Sequence, residues 1–147
     1  MIDRAFFAKS AANIVARYRK HIFDPAGGGS GAKDVFGKSY PSYTTKYSIA
    51  KRSGDIKRSA TKFSGSTAPV LTTDLMRDFQ GFNLISSGFR FGTPTQGGKV
   101  ANLAKRGRVI ATESKPLPDK VAKYVMDQAD KYVKSELGKI KGRTFNI

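Results

Sequence analysis

GFNLISSGFRFGTP, residues 81–94, is the stretch on which the fold class turns. Residues 82–86 and 89–91 are aromatic-rich, and Ser87-Gly88 between them is turn chemistry, so the run reads as two antiparallel strands. Residues 108–112 read as a further strand. Everything else with a clear period is helical. Helices before and after a short run of strands predict an α+β domain: an N-terminal helix, a small antiparallel sheet with long basic loops, and a long C-terminal helix.

Upstream, residues 4–22 read as an amphipathic helix. Phe7, Ala11, Ile14, Val15, Tyr18 and Ile22 fall at helical spacing, Asp3 suits the N-cap, and Asp24-Pro25 stops the run. Residues 24–34, DPAGGGSGAKD, lack the Gly-Lys-Ser/Thr of a phosphate loop and any preceding strand, so they read as a flexible connector. Thr44 or Thr45 caps a short helix carrying Tyr47, Ile49 and Ala50. Residues 51–68 read as an exposed basic arm. Thr72 or Thr73 caps another short helix, through Leu75, Met76 and Phe79. Downstream, residues 98–106 form a short helix ended by Gly107. After Pro116-Leu117-Pro118, the residues Val121, Tyr124, Val125, Gln128, Tyr132, Val133, Leu137 and Ile140 mark the clearest periodic signal in the chain. Gly138 and Gly142 bring that helix to a close, and a short tail, 141–147, follows. The whole, residues 1–147, reads as one structural domain.

Charge dominates the composition. Lys plus Arg is 27 against 11 for Asp plus Glu, a formal net charge of +16 over 147 residues. Residues 31–70 and 101–147 carry +6 each, whereas 71–100 carry +1, which marks the strand-forming stretch as the most buried. With no Cys and a single histidine, His21, neither a disulfide framework, a thiolate metal site nor a histidine cluster is available. Asp74 and Asp78 share a helix face, where the helix dipole accounts for them, and Asp127 and Asp130 alternate with lysines in ordinary salt-bridge patterning. No catalytic constellation emerges, so the expectation is a non-enzyme without cofactor or metal. No run reaches the ~18 apolar residues of a membrane span, and the N-terminus lacks a secretory pattern. The expectation is a soluble cytoplasmic product with no membrane partner.

Three order-specific elements carry a resemblance: Tyr47 to Lys51, then Leu71-Thr72-Thr73-Asp74-Leu75 turning into a short helix, then Gly107-Arg108 after the strands, with a closing helix behind KPLP. This sequence of elements resembles the neck and tail-completion proteins of tailed bacteriophages, the virion-morphogenesis or head–tail joining family, with Thr73 where glycine is usual there. The resemblance spans roughly residues 34–140, and the basic arm 51–62 lies outside its pattern. It implies a structural subunit of a sixfold or twelvefold ring, a homo-oligomer at the head–tail junction. Portal, adaptor and tail-terminator proteins would be its neighbours, and genomic DNA would pass through its lumen. The location implied is the virion, after assembly in the host bacterial cytoplasm.

The alternative is a sequence-nonspecific DNA-binding protein, since phosphate neutralisation by Lys and Arg needs no reader motif. Contact residues for a partner or DNA are Lys51, Arg52, Lys57, Arg58, Lys62, Lys105, Arg106 and Arg108. Magnitude limits the DNA share. A sixfold ring would carry six times the +16 of one chain. A lumen roughly 40 Å long would face only about 24 phosphates at one charge per 1.7 Å. Most of the positive charge is therefore expected to meet acidic neighbouring proteins.

Overall fold

The computed structural model describes residues 4–24, 32–53, 74–85 and 88–141. In chain order these form α1 (Arg4–Phe23), α2 (Thr45–Ser53), α3 (Asp74–Asp78), β1 (Gln80–Ile85), β2 (Gly88–Gly92), α4 (Gly97–Lys105) and α5 (Asp119–Lys141). The described residues are mostly helical. Among them the strands form one two-stranded antiparallel hairpin, paired Gln80 to Gly92, Gly81 to Phe91 and Phe82 to Arg90, with a register shift before Ile85 pairs with Gly88. The α+β class with a small sheet is thus corrected to a helical domain bearing a hairpin.

Residues 108–112 form no strand. Ile110 is buried and Val109 half-buried, and their carbonyls accept from outside any sheet. The Val109 carbonyl accepts from the Val35 backbone N–H at 2.9 Å, and the Ile110 carbonyl accepts from the Tyr18 hydroxyl at 2.7 Å. A short apolar run is ambiguous between a strand and a buried irregular segment.

Helix α1 organises the core. Its buried face carries Ala11, Ile14, Val15, Tyr18 and Ile22, as the spacing predicts, together with Phe23, whereas Phe7 is only half-buried. Tyr18 stacks on Phe79 with ring centroids 3.6 Å apart and meets Phe23 edge-on. Leu75, Ile110 and Tyr40 complete the cluster, and the Tyr40 hydroxyl donates to the Ile22 carbonyl at 3.1 Å. Arg19, on the neighbouring face, donates from its guanidinium to the carbonyls of Arg77 and Phe79 at 2.6–3.0 Å. That ties the end of α3 to α1 and fixes the start of the hairpin.

Two expected loops are shorter than the sequence suggests. The connector 24–34 has structure from Lys33 onward. Lys33 bridges to Ser39, and the buried Asp34 accepts the N–H groups of Phe36 and Lys38 at 3.0 and 2.7 Å. Of the arm expected from residue 51, Lys51, Arg52 and Ser53 belong to α2. Thr44 caps α2, its hydroxyl accepting the Tyr47 N–H at 3.4 Å. The Asp3 cap, the glycines at 27–29, the arm from residue 54, the Leu71–Thr73 turn and the tail 142–147 lie outside the described residues.

Helices α1 and α5 pack antiparallel. Phe6 stacks on Tyr132 at 4.3 Å, and the Arg17 guanidinium lies 4.0 Å over the Tyr124 ring. Gly138 does not end α5, which continues to Lys141. Nor is its apolar pattern one stripe. At 100° per residue, Val121, Tyr124, Val125, Gln128 and Tyr132 centre on one face, whereas Met126, Val133, Leu137 and Ile140 centre roughly 130° away. From the first set Tyr124 and Tyr132 meet α1, and Val121 is buried. The second faces solvent, with Met126 70 %, Val133 53 %, Leu137 52 % and Ile140 55 % exposed.

Burial pushes the Tyr18 and Tyr40 phenols above their ordinary value, and for Tyr40 the negative charges of neighbouring groups add to the shift. A raised folded-state value stabilises the fold fully below the unfolded pKa, near 10, and that contribution is lost as pH rises towards the folded one. Urea midpoints are therefore expected to hold steady from neutral pH and fall above about pH 10, in step with tyrosinate absorbance. A midpoint insensitive to pH across that range would contradict the burial of both hydroxyls.

Candidate docking cleft

Three sequence-distant pieces converge at α4. Tyr43 precedes α2 and Tyr47 lies on it; Asp74 and Leu75 open α3; Lys99, Asn102, Leu103 and Arg106 share one face of α4 and its cap. Together with Arg108 they enclose a cleft of about 640 Å³. The volume lies within the range of small-ligand and side-chain pockets. Its lower walls are tyrosine and leucine, while Lys99 and Arg106 are exposed at the rim.

Local chemistry fixes both ends of α4. At its start the Asp78 carboxylate accepts the Thr95 hydroxyl at 2.6 Å and the backbone N–H groups of Thr95 and Gln96 at 3.0 and 2.8 Å. Desolvation works to raise that carboxyl, but the hydrogen bonds from Thr95 and Gln96 and the Lys99 charge outweigh it and hold it below the ordinary range. The shared-face pair of Asp74 and Asp78 thus divides, with Asp78 anchoring α4 and Asp74 lining the cleft. At the other end the N–H groups of Gly107 and Arg108 return to the carbonyls of Ala104 and Leu103 at 3.0 and 2.9 Å, a Schellman closure. Gly107 supplies the required left-handed backbone at φ +72, so a side chain there would be strained although Pro41 leaves ordinary contact distance for a Cβ.

That turn swings Arg108 inward, which changes the meaning of one expected contact residue. Arg108 is 5 % exposed. Its Nη2 donates to the Pro41 carbonyl at 2.7 Å and its guanidinium lies 3.8 Å over the Tyr43 ring. Its Nε is buried without a hydrogen-bond partner. Arg108 braces the cleft wall and is no surface contact. Lys105 and Arg106 are exposed, with Arg106 on the cleft. Lys51 and Arg52 lie in the last turn of α2, while Lys57, Arg58 and Lys62 fall outside the described residues. Sequence reasoning passed over Lys99, Asn102 and Tyr47 as site residues. The signal for the first two was their i, i+3, i+7 spacing with Arg106 on one helix face.

Truncation of Arg108 has a calculable outcome. Arg108→Ala removes a charge-assisted hydrogen bond and a cation–π contact, together about 3 kcal/mol. Arg108→Met keeps the apolar stem and removes the unpaired Nε, so its loss is expected to be smaller, about 1 kcal/mol. Urea unfolding of both variants checks this. An alanine variant within about 0.5 kcal/mol of the parent would contradict the bracing role.

Among the described residues no group of His, Asp and Glu is placed to hold a metal ion, and no helix is long and apolar enough to cross a membrane. The described acids are largely engaged: Asp34 in its turn, Asp78 at α4, and Asp119, Asp130 and Glu136 in ion pairs with Lys115, Lys134 and Lys139 at 2.6–2.8 Å. What the geometry offers is recognition: a cationic rim over apolar walls, and an uncovered apolar helix face. No family model, curated protein or solved structure matches this chain.

Proposed function

We propose that this chain is a non-enzymatic structural subunit of a bacteriophage head–tail junction, the neck or tail-completion ring that joins the DNA-filled head to the tail around the DNA channel. One observation carries the assembly part of the reading: the second apolar face of α5. Met126, Val133, Leu137 and Ile140 are each more than half exposed on one side of a single helix. From first to last the stripe runs about 21 Å at 1.5 Å per residue. A contiguous exposed apolar patch on a highly charged protein marks an interaction surface.

The phage part rests on the resemblance. Of the residues that carry it, Tyr47 to Lys51 lie on α2, Asp74 and Leu75 open α3, and Gly107-Arg108 form the Schellman turn after α4, while Leu71–Thr73 lie outside the described residues. On this reading α5 packs against a neighbouring copy in a sixfold or twelvefold ring. Portal or adaptor and tail-terminator proteins stack above and below, and genomic DNA passes through the lumen. The protein works in the virion, after assembly in the host cytoplasm.

Electron microscopy of the purified protein, alone and mixed with tail-less heads, tests the proposal. Rings, or a monomer that adds to the head vertex, are expected, with weak duplex affinity at physiological salt. Tight duplex binding with a steep salt slope and no association with heads would instead establish the alternative, a sequence-nonspecific DNA-binding protein.

A further inference from the structure

We infer that the cleft between α2 and α4 is a receptor for an extended acidic peptide segment of a different protein, carrying at least one aromatic or aliphatic side chain between its carboxylates. The inference deepens the assembly reading by naming what a neighbour supplies and where; only the source of the peptide rests on that reading.

The chemistry of the walls selects this occupant. Lys99 and Arg106 stand one above the other on the same face of α4, about 10 Å apart along the axis at 1.5 Å per residue. Same-face side chains of an extended chain recur about every 7 Å, and the long Lys99 and Arg106 side chains can each swing to meet a carboxylate of such a pair. Between them lies Asn102, whose amide offers a donor and an acceptor to a peptide backbone. Below lie Leu75, Leu103 and Tyr47, which would enclose an apolar side chain. The buried Arg108, with an unsatisfied Nε, adds a third positive charge behind the Tyr43 ring.

Rival occupants fit less well. A nucleic-acid backbone would draw on the cations but leave the leucines uncovered. The guanidinium of Arg108 already takes one face of the Tyr43 ring, and Tyr47 lies against it at 4.7 Å, so Tyr43 is not an open platform for a base.

The probe is a short fluorescein-labelled peptide alternating glutamate with phenylalanine, titrated against the full chain by anisotropy at physiological salt. A matched peptide with lysine for glutamate and a single-stranded oligothymidylate serve as comparisons. The acidic peptide is expected to bind, with amide shifts at Tyr47 and Asn102, and the comparisons to bind at least about tenfold more weakly. Lys99→Glu with Arg106→Glu should weaken the acidic peptide at least about tenfold. Lys120→Glu with Lys131→Glu, which removes the same charge from exposed α5 positions, should leave it unchanged. Equal losses from both double reversals would reduce the binding to diffuse attraction and overturn the site. So would absence of peptide binding, shifts confined to other residues, or an oligothymidylate that binds as well as the peptide. Ring formation is scored separately, so a failed titration leaves the assembly proposal standing, and the converse holds too.

Discussion

Tyr18→Ala is expected to leave the domain unfolded at room temperature. Tyr18 is fully buried, stacks on Phe79 and donates its hydroxyl to the Ile110 carbonyl. Truncating a buried aromatic ring costs about 3–5 kcal/mol through lost burial and the cavity left behind. The orphaned Ile110 carbonyl adds about 1–3 kcal/mol. Domains of this size have only about 5–15 kcal/mol in total. Tyr18 also touches every layer of the core, joining α1 to the residue before β1 and to the segment after α4. Tyr18→Phe separates the two contributions. It keeps the ring, and is expected to lower stability by about 1–3 kcal/mol, with a Tm drop of about 3 °C per kcal/mol. Circular dichroism and urea unfolding check both variants. A cooperatively folded alanine variant with near-parental stability would show that the core closes without this ring.

Leu137→Asp is expected to abolish assembly while leaving the monomer intact. Leu137 is half exposed on the second face of α5, beyond the helix's contact with α1, so its loss removes little core packing. In a subunit interface the new carboxylate would be desolvated without a partner, at a cost of several kcal/mol per contact. A ring repeats that cost at every joint. The parent apolar side chain would contribute about 1 kcal/mol on burying its exposed half. Sedimentation and electron microscopy should show rings, or heads with added subunits, for the parent and neither for the variant, with melting temperatures within about 2 °C of each other. Assembly by the aspartate variant at parental concentrations would remove α5 from the interface.

The helices were legible because their signals are local. Residues of α1 recur every three to four positions against a single buried face, and five of the six apolar positions read from that spacing are buried. In α4 a glycine stop sits where the Schellman turn needs it. Helix α5 shows where such reading runs out. Its apolar residues were merged into one period, although the offsets from Val133 onward rotate them off the core face, and the difference is the difference between core and interface. The extra strand failed for another reason. Val109-Ile110 is apolar enough for a strand, but its hydrogen-bond partners are a loop N–H and a tyrosine hydroxyl some 70 to 90 positions away, which no local pattern encodes. Arg108 shows the same limit. Composition makes it a surface cation, and only the left-handed glycine before it turns it inward. The cleft is a product of tertiary folding, since its walls come from residues 42–47, 74–75 and 99–108.

The antiparallel pairing of α1 and α5 has a mechanical consequence. The rings of Phe6 and Phe7, near the start of α1, meet Tyr132, and α5 then continues to Lys141. About 13 Å of helix thus projects as a cantilever past its last aromatic contact with α1. A pull on Ile140 acts through that lever on the Phe6–Tyr132 stack, at the rim of the domain, well before it reaches Tyr18. Strain from a partner at the tip would be absorbed by sliding two rings, leaving the central aromatic cluster undisturbed.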